Sequence, residues 1–154
     1  MRKRRAEKRK INPDPKYQSI LVTQFINRLM KDGKKSVAQK VFYNAFEIID
    51  QNKKEPLEIF EKAIKNITPM IEIRSRRVGG ANYQVPQPVR SDRGRALAIR
   101  WTISYCQKKH GQPMAKRLAQ EFLLAAKNEG ELIRKKENVH KMAEANKAFA
   151  HFAR

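Results

Sequence analysis

Six arginines lie within a stretch of twenty-four residues that also contains a double glycine. Residues 72–95 read EIRSRRVGGANYQVPQPVRSDRGR, and only two acidic residues oppose the arginines. A planar guanidinium group suits two-pronged contacts with phosphate and stacking on nucleic-acid bases. The stretch therefore predicts a phosphate-binding surface, formed by Arg74, Arg76, Arg77, Arg90, Arg93 and Arg95.

Two other groupings of residues have spacings that suit catalysis or ligand binding. Cys106 and His110 are four residues apart on a predicted helix, but a metal site or an activated nucleophile needs a third group. The sequence DGKKS at residues 32–36 is similar to the end of a nucleotide-binding loop, but it lacks the preceding strand and the first glycine. We therefore interpret Cys106 as a buried thiol and His110 as a surface residue, and we predict no catalytic residue, no metal and no cofactor.

The composition indicates a polyanionic partner. The 154 residues include 35 Lys and Arg against 15 Asp and Glu, for a formal net charge of +20. Such an excess is typical of proteins that bind nucleic acid or anionic surfaces. No run approaches the roughly 18 apolar residues of a membrane span, and the basic N-terminus lacks the apolar segment of a secretory signal. The expected location is the cytoplasm, without membrane association.

The first sixteen residues differ in composition from the rest of the chain. They carry eight Lys or Arg, two acidic residues and few apolar side chains. A segment of this kind cannot bury enough surface to fold alone, so we predict a flexible basic arm at residues 1–16 that binds nucleic acid. Residues 17–154 are predicted to form a single domain.

Apolar residues recur at helical spacing over most of that domain. The pattern predicts six helices, with Ser36 and Asp92 as the N-caps of the second and fourth. The inner face of the last helix is predicted to include Met142. The predicted helices span about residues 20–31, 36–51, 56–68, 92–109, 113–127 and 131–148.

One region shows the two-residue period of β-strands. Apolar residues alternate with polar ones on either side of Gly79-Gly80, which suits the positive backbone angles of a tight turn. Pro86 and Pro88 lack N–H groups two residues apart, which favours a ribbon with a free edge. The predicted fold is therefore mainly α, with about six helices in one domain, a protruding two-stranded antiparallel β-hairpin at about residues 71–90, and the basic arm.

Three other classes of protein can be equally basic. An architectural DNA-binding protein would use the arm and the ribbon to clasp a duplex, and it would dimerise. A membrane-surface protein would need a helix with an aromatic insertion face, which the sequence lacks. An RNA-modifying enzyme would need a cofactor fingerprint or an acid–base cluster, and the sequence contains neither.

Three long segments resemble one known family. They follow each other in order and read PDPKYQSILVTQFINRLMKDGKKSVAQKVFYNAF (residues 13–46), PMIEIRSRRVGGANYQVPQPVRSDRGRALAIRWT (residues 69–102) and KRLAQEFLLAAKNEGELIRKKENVHKMAEANKAFAHFAR (residues 116–154). Each is similar to the corresponding part of the seventh protein of the small ribosomal subunit, in its bacterial form. The likeness covers essentially the whole chain.

The resemblance implies a helical fold with a β-hairpin, and direct binding to the 3′ major domain of the small-subunit rRNA. It further implies nucleation of head assembly, a position near the exit-site tRNA and the mRNA path, and contacts with neighbouring small-subunit proteins of the head and platform. Some members of the family repress translation of their own mRNA.

The resemblance also implies positions for the contacts. The hairpin tip, which would approach the exit-site tRNA, consists of Val78, Gly79, Gly80, Ala81, Asn82 and Tyr83. The rRNA contacts fall on Arg2, Lys3, Arg4, Arg5, Lys8, Arg9, Lys10, Lys34, Lys35, Arg74, Arg76, Arg77, Met114, Lys116 and Arg117, and we expect Arg90, Arg93 and Arg95 to join them.

Overall fold

The computed structural model of the protein describes residues 9–51 and 55–153. These residues confirm the mainly helical fold with one antiparallel hairpin. A short 3-10 helix follows the last α-helix. The elements, in chain order, are α1 (Ile20–Leu29), α2 (Lys35–Asp50), α3 (Pro56–Ile67), β1 (Ile71–Val78), β2 (Ala81–Pro88), α4 (Ser91–Lys108), α5 (Met114–Ala126), α6 (Glu131–Ala145) and the 3-10 helix (Lys147–Ala153).

Phenylalanine rings form the centre of the core. Four helices contribute them, and each ring has no solvent-exposed surface. Neighbouring ring centroids lie 4.4 to 6.4 Å apart, mostly edge to face or tilted, which is the favourable range for aromatic pairs. The cluster joins α1, α2, α3 and α5 into one body through Phe25, Phe42, Phe46, Phe60 and Phe122.

Two predicted helix starts are wrong by one or two residues. The N-cap of α2 is Lys34 and not Ser36, and the N-cap of α4 is Arg90 and not Asp92. Ser36 lies in the first turn of α2 because the chain enters the helix directly after Gly33, whose φ is +73°. Asp92 also lies inside the first turn, where its carboxylate accepts the backbone N–H of Arg93 at 3.0 Å.

The hairpin turn forms as its sequence predicts. Gly79 and Gly80 have φ of +55° and +89°, and they connect two eight-residue strands with no further loop residue. Positive φ at both central positions characterises the tight turn whose twist matches that of paired strands. Pro86 pairs with Ile73 and Pro88 with Ile71. The sheet of the described residues has only these two strands, so the outer edge of each strand is free of a third.

The C-terminal segment differs from its predicted form. Helix α6 ends at Ala145, and the chain then continues as a 3-10 helix. Met142 is half-exposed, so its prediction as an inner-face residue is wrong, and Ala143 takes the buried position one residue later. The shorter α6 leaves the 3-10 helix free to turn toward the hairpin.

A buried carboxylate fixes the chain just before α1. Asp14 is almost fully buried, and one of its oxygens accepts the backbone N–H groups of Lys16 and Tyr17, both at 3.1 Å. Its other oxygen accepts the hydroxyl of Tyr43 from α2 at 2.8 Å. Burial and then this hydrogen bond raise the pKa of Tyr43 to about 12. The N-terminal segment therefore leaves the folded body at a defined point.

Candidate nucleic-acid interface

The register of the hairpin divides its arginines between two faces. Arg74 and Arg76 are two residues apart and lie on one face, and Arg77 lies on the other, because side chains alternate along a strand. Arg76 pairs with Tyr83, and Arg77 pairs with Asn82. All three arginines are exposed. Among the described residues, the side chain of Arg77 makes no hydrogen bond or ion pair, so its guanidinium is fully available to a ligand.

A recess at the base of the hairpin gathers three arginines around one carboxylate. One oxygen of Glu72 accepts Nε of Arg74 at 2.7 Å, and its other oxygen accepts Nε of Arg93 at 3.2 Å. Glu72 is only 13% exposed, whereas the two arginine side chains are 55% and 43% exposed. Arg90 lines the same recess, which has a volume of about 410 Å³. Three guanidinium groups against one carboxylate leave this recess with a net positive charge.

The outer part of the hairpin is held by the C-terminal 3-10 helix. Arg76 donates a hydrogen bond from Nη1 to the carbonyl oxygen of Phe152. The ring of Tyr83 packs against Phe149 and Phe152, with centroid distances of 5.2 and 5.0 Å. Tyr83 is the last residue of the predicted tip, and its half-buried ring faces the 3-10 helix. The exposed part of the tip is Gly79 to Asn82.

A second basic surface lies between the α1–α2 turn and the start of α5. A groove of about 340 Å³ brings Lys31 and Lys34 next to Met114 and Arg117. These residues are some eighty positions apart in the sequence. Val37, which is 56% exposed, contributes an apolar wall. The groove thus combines cationic and apolar side chains, as a site for a nucleotide unit requires.

Arg117 makes protein contacts at this groove. Its Nη1 donates to the backbone carbonyls of Cys106 and Lys109, at the C-terminal end of α4. The last carbonyls of a helix have no partner within the helix and favour a nearby cation. The Nε of Arg117 is buried and has no hydrogen-bond partner among the described residues. Arg117 therefore joins α4 to α5 and also places a positive charge at the groove.

A third basic surface lies where the N-terminal segment meets α2. Arg9 and Lys10 line a recess of about 440 Å³ together with Lys35. Lys35 is the first residue of α2, so its position is fixed by the helix. The remaining predicted contacts of the arm, from Arg2 to Lys8, lie outside the described residues.

Acidic residues concentrate from the last turn of α2 to the second turn of α3. Five of the fifteen acidic residues occur between positions 47 and 61, all of them exposed. Phosphate groups are repelled by such a surface. We call it the acid-rich end, and it comprises Glu47, Asp50, Glu55, Glu58 and Glu61.

The sequence profile of the ribosomal protein S7p/S5e family matches residues 1–147 of the chain. The chain belongs to this family. A protein of Thermotoga maritima named small ribosomal subunit protein uS7 is 53% identical over 153 residues, which cover 99% of both chains. Proteins of the same name from Syntrophomonas wolfei and Marinobacter nauticus are 55% and 54% identical over 152 residues, covering 98% of this chain and 97% of each relative. The resemblance inferred from the three sequence segments is confirmed.

Within this S7p/S5e chain, the fold brings together most of the described residues that the sequence singled out. Lys34 joins Met114 and Arg117, Lys35 joins Arg9 and Lys10, and Arg74 joins Arg90 and Arg93. Lys116 is exposed but lies outside these groups. Arg95 lines a separate recess beside Leu21 and Met70.

Two arginines that the sequence reasoning omitted from the site also share a recess. Arg28 of α1 and Arg100 of α4 face a space of about 280 Å³ next to Ile11 of the N-terminal segment. Nothing in their local sequence distinguishes them from solvated charges on helices. Because Arg28 and Arg100 are far apart in sequence, their proximity in the fold could not be predicted from a local pattern.

Among the described residues, Cys106 has no disulfide partner and belongs to no group of side chains that could hold a metal ion. Burial and then the nearby Glu121 raise the pKa of its thiol to about 12, and His110 lies beyond the end of α4 on the surface. In the described ranges, no group of three residues could hold a metal ion. The S7p/S5e proteins are a ribosomal family and not an enzyme family.

The raised pKa gives a test of the buried position of Cys106. The thiol should remain protonated at pH 8.5 and react with an aromatic disulfide reagent only after unfolding in guanidinium chloride. The folded-state pKa lies above the ordinary value of 9.0, so the thiol contributes stability that is complete below pH 9 and declines toward pH 12. Rapid stoichiometric labelling of the folded protein at pH 8.5 would contradict the burial.

The described helices contain no segment with the length and hydropathy that a membrane crossing needs.

Proposed function

We propose that the chain is a structural constituent of the small ribosomal subunit and binds its rRNA directly. The observation that carries the proposal is the match to proteins named small ribosomal subunit protein uS7, at 53–55% identity over nearly their full length. The three basic surfaces supply a physical means of contact with RNA. The chain would act in the cytoplasm, within the ribosome.

The finer proposal follows the resemblance. The rRNA segment is the 3′ major domain, and binding there nucleates assembly of the subunit head. The hairpin tip approaches the exit-site tRNA and the mRNA path, and the remaining surface contacts neighbouring proteins of the head and platform. The same RNA-binding surface would allow the chain to repress translation of its own mRNA.

Recognition would depend mainly on the shape of the RNA. Separate basic surfaces can contact phosphates from several RNA segments only where those segments are folded against one another. Arg77 and the tip belong to the hairpin, whereas Lys34 and Lys35 lie at the start of α2. Such a spread of contacts discriminates a folded RNA domain from a simple duplex, although each contact alone is independent of sequence.

A competition assay tests the proposed RNA. Labelled rRNA of the 3′ major domain would be bound at near-physiological salt and challenged with the same RNA unlabelled, with an unrelated structured RNA and with duplex DNA. We expect only the cognate RNA to compete efficiently, because the affinity of a protein for its specific nucleic-acid site exceeds its nonspecific affinity by about 10³-fold or more. Equal competition by all three would contradict the proposal and favour an architectural DNA-binding protein.

A further inference from the structure

The recess at the hairpin base has a feature that simple electrostatics does not explain. A surface that binds polyanions should exclude carboxylates, yet Glu72 lies among three arginines. Its side chain is 13% exposed, against 55% for Arg74 and 43% for Arg93, so the carboxylate is the most buried group of the two ion pairs. Its two oxygens hold two different arginines, one from β1 and one from the first turn of α4.

The arrangement leaves most guanidinium N–H groups free. Arg74 uses one edge of its guanidinium, Nε and Nη2, toward Glu72, and Arg93 uses only Nε. An arginine has five N–H donors, so each retains a set that can still bind an oxyanion. Among the described residues, the side chain of Arg90 has no partner, and it faces the same recess.

Glu72 therefore orders two like charges that would otherwise repel each other. A long arginine side chain loses much rotamer freedom when it binds, and this cost is smaller when a neighbour already holds it in place. The held pair, with Arg90 beside it, matches the tetrahedral oxygens of one phosphate group better than three mobile side chains do.

We infer that the recess is a preorganised clamp for a single phosphodiester of the RNA backbone, and that Glu72 is its positioning residue. Glu72 itself does not contact the RNA. It sets the direction of Arg74 and Arg93, and the one negative charge it introduces is outweighed by the three guanidinium groups around it. This inference rests on the proposed function.

The clamp and simple charge counting predict opposite changes in RNA affinity when Glu72 is replaced. Glu72→Gln removes a negative charge from a basic surface, so charge counting predicts tighter binding to any RNA. A glutamine offers one acceptor oxygen and sets an NH₂ group against a guanidinium, so it cannot hold both arginines. We expect the affinity for 3′-domain rRNA to fall about tenfold, since two side chains must now be ordered during binding.

The experiment measures dissociation constants for 3′-domain rRNA and for an unrelated RNA duplex, at one salt concentration. Glu47→Gln, in the acid-rich end, removes the same charge away from the hairpin and serves as the matched control. The clamp predicts that Glu72→Gln weakens cognate binding about tenfold and leaves duplex binding equal or tighter. Glu47→Gln should leave both equal or slightly tighter.

A second variant keeps the total charge and tests the fork geometry. Arg93→Lys retains a cation but loses the planar donor set, so it should reproduce the cognate-specific loss. This variant decides the question if Glu72→Gln lowers the thermal midpoint of unfolding. The clamp is overturned if wild type prefers the cognate RNA but the two variants retain that preference, in which case Glu72 only joins the hairpin to α4. If wild type shows no preference for the cognate RNA, the proposed function fails together with the clamp.

Discussion

Simultaneous replacement of Arg74, Arg76 and Arg77 by alanine should weaken binding to 3′-domain rRNA by several kcal/mol. Hydrogen bonds to charged groups make a net contribution of about 1.5–3 kcal/mol each. Arg77 has no protein partner among the described residues, and Arg74 retains free N–H groups beside its ion pair with Glu72. Arg76 must exchange the Phe152 carbonyl for RNA, so its share should be the smallest.

A control variant separates specific contacts from total charge. Replacing Lys62, Lys127 and Lys135 by alanine removes three exposed positive charges outside the three basic surfaces and outside the recess of Arg95. It should reduce affinity only through the long-range field, by less than the hairpin variant. Nitrocellulose-filter titration of both variants against the same RNA gives the comparison. The hairpin is not part of the RNA site if the two variants lose equal affinity.

The second large effect concerns stability. Replacing Phe42 by alanine should lower the free energy of unfolding by about 3–5 kcal/mol, the usual cost of removing a fully buried aromatic ring. The ring has no exposed surface, and its centroid lies 5.3 Å from that of Phe25, 4.4 Å from Phe46 and 5.4 Å from Phe60. The loss therefore affects three helices at once.

Urea unfolding of the RNA-free protein measures this effect. Phe152→Ala is a suitable comparison, because that ring is only partly buried and packs against the hairpin instead of the core. This substitution should lower the free energy of unfolding by about 1 kcal/mol, as is typical of a substitution outside the core. Nearly equal losses for the two variants would mean that the phenylalanine cluster is not the centre of stability.

The sequence was sufficient for those parts of the fold that depend on local patterns. The helices follow from apolar residues at three- and four-residue spacing, and the turn follows from two adjacent glycines that adopt positive φ. The N-caps at Ser36 and Asp92 were wrong because capping preference is weaker than the geometry that the preceding turn imposes. The prediction that Met142 lies on the inner face was wrong because the 3.6-residue period of a helix locates its buried face only to within one residue.

Contacts between distant residues could not be predicted in this way. Arg76 and Phe152 are seventy-six residues apart, and no local signal indicates that the C-terminal 3-10 helix holds the hairpin. The same applies to Arg117, which caps the end of α4. Sequence reasoning identified these side chains as cations but could not distinguish those bound within the protein from those left free, such as Arg77.

The free and bound arginines suggest a division of roles within one surface. Two contacts fix the position of the hairpin relative to the body: Glu72 accepts Arg93 of α4, and the carbonyl of Phe152 accepts Arg76. A hairpin held at its base and along one face presents its other face in a constant orientation. Constant orientation reduces the entropy lost on binding and favours one RNA shape over others.

Directed cleavage of bound RNA tests the central claim most directly. Because Cys106 is buried, an iron chelate can be attached selectively to a cysteine introduced at Ser75, on the hairpin face opposite Arg74, or at Glu58, in the acid-rich end. Hydroxyl radicals produced at each position cut only nearby RNA. We predict strong cuts within the 3′ major domain from position 75 and few from position 58. Equal cutting from both positions, or none in the 3′ major domain from position 75, would contradict the proposed binding surface.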